Sequence, residues 1–143
     1  MKTIGIFAGS FNPFHLGHLD IANQSKLIFD EVIIARGYNT SKDYFDKFIP
    51  LYKDEYVKNE YTGLITDYVS EIEKLNPESN VVLIRGLRDY QDLENEQKQM
   101  FFFKEMKPDL KHVFILCNDK YKYVSSSAIK ELIKFNKHKQ YLP

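Results

Sequence analysis

The chain has 143 residues, 43% hydrophobic and 28% charged, with a formal net charge of zero. That length fits one domain spanning 1–143 with a sizeable core. The balanced charge excludes the broad basic field of a nucleic-acid-binding or membrane-surface protein, so any anion site must come from local placement of charge. The one cysteine, Cys117, excludes an internal disulfide and fits a reducing cytosol. No run reaches transmembrane length and the N-terminus lacks a signal-peptide pattern, so a cytoplasmic location is expected.

A short apolar run, Ile4 to Ala8, reads as a first strand. It leads into Gly9-Ser10-Phe11-Asn12-Pro13-Phe14-His15-Leu16-Gly17-His18 and then a helix-like run from His18 to about Phe29. A strand, a glycine-containing turn and a helix with histidines in its first turn form a ready anion site, because free N–H groups and the positive end of the helix dipole point at the turn. His15 and His18, three residues apart, would share one face. Phosphate is the expected ligand.

Glu31 to Ala35, Val81 to Ile84 and Val113 to Leu116 read as further buried strands. Helical patterns run from Leu64 to Leu75 and from about Leu93 to Met106. Leu64, Ile65, Tyr68, Val69, Ile72 and Leu75 recur at helical spacing and read as core. Cys117 reads as a buried strand cysteine. Residues 37–62 mix charge with aromatics without clean periodicity, which fits an irregular connection or a flap. Short β-branched runs alternating with helices predict an α/β fold, a Rossmann-like open parallel sheet with helices on both faces. Ligands of such sheets bind beyond the carboxyl ends of the strands, where the strand order reverses. The Gly9 turn, Lys42, Arg85 to Arg88 and a serine cluster all follow predicted strands and can converge there.

Arg85-Gly86-Leu87-Arg88 sets two guanidiniums about a glycine at a strand end, a pattern suited to bidentate phosphate binding. The same pair equally fits surface arginines bridging Asp92, Glu94 or Glu96. Ser125-Ser126-Ser127 precede a helix from Ala128 to Phe135. They offer either hydroxyl donors to a nucleotide's terminal phosphates or one capping serine, Ser125 or Ser126, with two spectators. Tyr121 and Tyr123 just before them could flank a base or simply pack.

The turn with His15-Leu16-Gly17-His18, together with Val124-Ser125-Ser126-Ser127-Ala128-Ile129-Lys130, resembles the paired signatures of the HIGH-type nucleotidyltransferase superfamily. Within it the chain is most similar to the bacterial phosphopantetheine adenylyltransferases. Gly17-His18-Leu19-Asp20, Asn39-Thr40-Ser41-Lys42, Tyr61-Thr62-Gly63-Leu64-Ile65-Thr66-Asp67-Tyr68 and Arg85-Gly86-Leu87-Arg88 with Asp92-Leu93-Glu94-Asn95-Glu96 carry that likeness in order along nearly the whole chain. Asn12 stands where that branch has Asp. His15 restores the His-x-Gly-His form of branches that use nicotinamide mononucleotide or glycerol phosphate. Phe101-Phe102-Phe103 replaces a polar stretch near the pantetheine pocket.

The resemblance implies transfer of AMP from ATP to 4′-phosphopantetheine, with pyrophosphate leaving and dephospho-coenzyme A formed. It implies Mg²⁺ held mainly by the phosphates of ATP, with no protein metal ligand. His18, Ser10, Lys42 and Arg88 take the catalytic roles. ATP falls to Ser10, Phe11, His15, His18, Gly86, Leu87, Arg88, Glu96, Tyr121, Val124 and Ser125, Ser126 and Ser127. The acceptor falls to Ser10, Lys42, Ile65 and Arg85. The resemblance also implies a homo-oligomer, commonly a hexamer, and no nucleic-acid or membrane partner. Two other readings stay open: the same fold serving another acceptor (nicotinamide mononucleotide, or a polyol or sugar phosphate with CTP), and a nucleotide-binding protein without catalysis.

Overall fold

The structure is a computed structural model that describes residues 1–38 and 55–143. In chain order its main elements are β1 (Thr3–Gly9), α1 (Leu16–Lys26), β2 (Glu31–Tyr38), β3 (Asn59–Thr62), α2 (Ile65–Leu75), β4 (Asn80–Leu87), α3 (Tyr90–Met106), β5 (His112–Leu116) and α4 (Ser126–Ile133). The strands form one sheet in the order β3-β2-β1-β4-β5, and every pairing is parallel. The expected doubly covered parallel sheet is therefore present. Its order reverses between β1 and β4.

The alternation of strand side chains explains the two-sided core. In β1, Ile4, Ile6 and Ala8 face one side and join Ile65, Tyr68, Val69 and Ile72 of α2 and Met100 of α3. Phe7 faces the other side and joins Ile21 and Ala22 of α1, with Phe11, Phe14 and Ile84. Both faces of the central strands are apolar because helices cover both.

Three features differ from the sequence expectation. β3 was not anticipated: Asn59-Glu60-Tyr61-Thr62 is mostly exposed and carries no apolar alternation. It stands because its backbone pairs with Ala35 to Tyr38 of β2 at the sheet edge. Leu64 and Leu75, expected in the core, are 49% and 70% exposed, since they lie at the two ends of α2, past the sheet surface it packs on. α1, α3 and α4 begin earlier than expected, because His15, Asp89 and Ser125 cap them with side-chain bonds, and α4 ends at Ile133 rather than Phe135.

Candidate active site

The turn after β1 is the centre of the site. His15 is the N-cap of α1 and His18 is its third helical residue. His15 Nδ1 accepts the backbone N–H groups of Gly17 at 3.1 Å and His18 at 3.4 Å. His18 Nδ1 in turn accepts the backbone N–H of His15 at 3.1 Å. The two imidazoles thus form a capping box of a kind usually made by Ser or Thr with Glu. Their rings stack with centroids 3.6 Å apart. With Nδ1 accepting in both, each neutral ring carries its proton on Nε2.

Electrostatics keep both rings neutral. Burial, then the charge of Arg88, lowers the pKa of His15 to about 4. Burial pushes His18 well below its usual value, and His15, Arg88 and Arg36 add to the effect. Two neutral N–H donors therefore sit at the positive end of α1.

Gly17 is required by this packing and not by its backbone angles. A Cβ there would lie 2.9 Å from Cε1 and 3.1 Å from Nδ1 of His15. Gly86 serves similarly at the next strand, where a Cβ would meet Ile21 of α1 at 2.9 Å. Without that close approach α1 could not lie against β4.

A cavity of about 350 Å³ opens at the switch point between β1 and β4. It is lined by the β1 turn (Gly9, Ser10, Phe11), by His15 and His18, by Arg85 to Arg88 and by Ser125, Ser126 and Ser127. Glu96 and Cys117 also line it. A second cavity of about 450 Å³ lies over the ends of β2 and β3, lined by Tyr38, Tyr61, Leu64, Ile65 and Phe103. Gly9, Ser10 and Arg85 line both cavities.

The arginines are engaged. Arg85 makes a bidentate pair with Glu96 (Nε at 2.8 Å, Nη2 at 3.0 Å) and donates from Nη1 to the Ala8 carbonyl at 3.2 Å. Arg88 holds Asp92 through Nε at 3.0 Å and Nη2 at 3.1 Å, while the Arg88 backbone N–H reaches the same carboxylate at 2.8 Å. Burial pushes the Asp92 carboxyl up, but these bonds outweigh it and hold the group below its usual range. The ion-pair alternative for Arg85 and Arg88 is thus realised, with both residues still lining the cavity. A phosphate would share or replace these carboxylates.

The serines divide their work. Ser125 caps α4, its hydroxyl accepting from the Ala128 N–H at 3.0 Å. Ser126 Oγ donates to the Pro13 carbonyl at 3.2 Å, which ties the N-terminus of α4 to the first turn. Ser127 is exposed and faces the cavity.

Tyr121 and Val124 are not among the described residues that line the cavity. Tyr121 packs against the core beside α1, and Val124 is buried. Tyr123 is 83% exposed. Ile65 lines the second cavity only. Cys117 lies one residue past β5 and is buried, and burial raises its thiol pKa. Lys42 and the Asn39 to Lys42 loop lie outside the described residues. No cluster of three or more His, Cys, Asp or Glu set to hold a metal occurs among the described residues.

Sequence reasoning missed Arg36. Two residues before the end of β2, it is buried and donates to the carbonyls of Ser10 and Phe11. The available signal was a charged residue closing an otherwise apolar strand, Val32-Ile33-Ile34-Ala35-Arg36.

Residues 6–132 match the model of the cytidylyltransferase-like family. The phosphopantetheine adenylyltransferase of Natranaerobius thermophilus is 33% identical over 145 residues, covering 95% of this chain and 85% of the relative. That of Clostridium perfringens is 33% identical over 143 residues, covering 93% and 83%. A crystal structure from Vibrio parahaemolyticus, proposed to be a nicotinate-nucleotide adenylyltransferase, superposes with a TM-score of 0.60 at 21% identity, covering 94% of this chain and 83% of that one. That likeness concerns the fold alone.

Proposed function

The chain belongs to the cytidylyltransferase-like family, and from that premise we propose that it transfers AMP from ATP to 4′-phosphopantetheine, releasing pyrophosphate and giving dephospho-coenzyme A. The observation that carries the reading is the meeting of two cavities at Gly9, Ser10 and Arg85. A direct transfer between two phosphorylated substrates needs their phosphates to meet at one point, with the rest of each molecule in its own cavity. The nearly full-length likeness to phosphopantetheine adenylyltransferases supplies the acceptor.

The residue types follow from the chemistry. A phosphate oxygen of the acceptor attacks the α-phosphorus of ATP, a new P–O bond forms, and the bond to pyrophosphate breaks. That phosphate is already a nucleophile at neutral pH, so the protein acts by positioning and by neutralising charge. His18 donates from Nε2 to the α-phosphate and His15 supports the phosphate chain. Ser10 and the backbone N–H of Phe11 hold the point of transfer. Arg88 and the Ser125 to Ser127 turn receive the outer phosphates, with Gly86 and Leu87 as backbone wall. Arg85 and Lys42 receive the acceptor phosphate, Glu96 orients Arg85, and Ile65 packs on the acceptor arm.

The donors facing the first cavity are N–H, O–H and guanidinium groups, and its carboxylates Asp92 and Glu96 are held by arginines. Such a set fits a magnesium ion carried on the nucleotide's phosphates and waters rather than in a protein cage. Bound there, Mg²⁺ supplies charge neutralisation to the leaving pyrophosphate.

A second reading, with nicotinamide mononucleotide as acceptor, is favoured by the aromatic lining of the second cavity, Tyr38, Tyr61 and Phe103. We further infer a homo-oligomeric, cytoplasmic enzyme; no helix among the described residues is long and apolar enough to cross a membrane. Light scattering on a sizing column tests the assembly.

The deciding assay is pyrophosphate release with Mg²⁺-ATP and 4′-phosphopantetheine, nicotinamide mononucleotide or glycerol 3-phosphate, with CTP as alternate donor. Release with phosphopantetheine alone is expected. Release with another acceptor alone moves the assignment to that acceptor, and ATP binding with no release moves it to a nucleotide-binding protein.

A further inference from the structure

Arg36 lies directly behind the site. It pairs in register with Gly9 of β1 and is 7% exposed. Burying a guanidinium is costly unless its donors are used. Two of them are used on one turn. Nε donates to the Ser10 carbonyl at 3.0 Å and Nη2 to the Phe11 carbonyl at 2.7 Å.

Phe11 needs such a hold. Its φ is +45°, a left-handed conformation that a residue with a bulky side chain adopts only when its surroundings impose it. Its ring is wedged edge-on against Phe7 at 5.0 Å, Phe14 at 5.3 Å and His18 at 4.9 Å. The guanidinium therefore fixes the Phe11 backbone while the Phe11 ring fixes the wall of the His18 imidazole.

Arg36 shares β2 with the other cavity. Two residues on, the Tyr38 hydroxyl donates to Glu60 Oε1 at 3.0 Å. Tyr38 lines the second cavity, whereas Arg36 is not among the described residues lining either one.

We propose that Arg36 is a positioning residue for the transfer reaction: its planar fork ties the Ser10–Phe11 turn, and through Phe11 the His18 ring, to β2. The kinetic part of this assignment rests on the function proposed above. A lysine would not reproduce it, because an ammonium offers a point charge where two carbonyls need a rigid fork.

The test uses the full chain with Arg36→Met and Arg36→Lys. Each variant is read for folding by circular dichroism and melting, for kcat and KM separately, and for the Phe11–His18 ring contact by nuclear Overhauser effects on the ligand-free protein. In Arg36→Met, kcat falls about 10- to 100-fold, the scale of an ångström-level misplacement. KM for ATP changes less than about threefold, because the α4 turn and Arg88 are untouched, and the ring contact weakens. Arg36→Lys restores charge but little of kcat.

A folded Arg36→Met enzyme with kcat within about threefold of the parent overturns the assignment. So does a loss that only tracks the folded fraction. If Arg36→Met does not fold, Arg36→Lys is judged on the same readings. If the parent transfers to no acceptor, the proposed function fails separately, and an unchanged Phe11–His18 contact in Arg36→Lys still overturns the positioning role.

Discussion

His15 and His18 cap the same helix reciprocally: each Nδ1 accepts a backbone N–H belonging to the other, at 3.4 Å and 3.1 Å. The exchange uses one nitrogen of each ring for structure and leaves the other, protonated, for a ligand. A single pair of side chains thus sets the start of α1, fixes both tautomers and supplies two neutral donors.

On the proposed function, His18→Ala removes one of those donors from the point of transfer. Turnover falls about 10²–10³-fold, the scale of deleting one transition-state hydrogen-bond donor. Pyrophosphate release on a variant shown to be folded checks this, and unchanged turnover removes His18 from the chemistry.

Both histidines are held neutral, so neither titrates in the ordinary histidine range. With His15 at about 4, its imidazole signals in the ligand-free protein stay unshifted between roughly pH 6 and 8 and move only as pH approaches 4. Rates are no substitute, because the acceptor phosphate itself ionises at about 6. An NMR titration decides it, and a His15 or His18 inflection near 6.5 contradicts the neutral-donor assignment.

The same groups couple folding to pH. Unfolded, His15 titrates near 6.5; folded, it titrates near 4. Between those values the unfolded chain takes up a proton that the folded chain refuses. Stability is therefore fully present above pH 6.5 and is lost as pH falls toward 4, by about 3 kcal/mol from His15, with His18 acting in the same direction. Urea unfolding at pH 7, 6, 5 and 4 measures it, and His15→Asn, an alternative cap, flattens the dependence.

Gly17→Ala puts a methyl group 2.9 Å from the His15 ring. Alanine is the better helix former by about 1 kcal/mol, so propensity alone predicts stabilisation. The clash reverses this, because the imidazole cannot retreat without breaking its bonds to the Gly17 and His18 N–H groups. We expect a lower melting temperature and at least a tenfold loss of kcat. A stabilised, fully active variant shows that the ring has room to move.

Ser125→Ala removes the cap of α4, a loss of about 1 kcal/mol that thermal melting detects. On the proposed function that N-terminus receives the outer phosphates of ATP, so KM for ATP rises while the acceptor's KM holds. Equal effects on both substrates break the division of the two cavities.

The sequence by itself determined what depends on near neighbours. Apolar runs and helical spacing fix the parallel α/β sheet, since each element buries the face its own pattern presents. The spacing of His15 and His18 fixes their common face, and Ser125 before a helix fixes a cap. The motif order carries the family.

Only the tertiary structure decided what depends on distant partners. β3 has no pattern of its own and exists through its pairing with β2. Arg85 found Glu96 among several nearby acids through the placement of α3 beside β4, whereas Arg88 holds Asp92 only four residues on. Tyr121 and Val124 turned to the core, which no local spacing indicated. Arg36 is bonded to carbonyls 26 and 25 residues away in sequence. A buried charge is tolerable only where such partners converge, and convergence is a property of the folded chain, not of any segment within it.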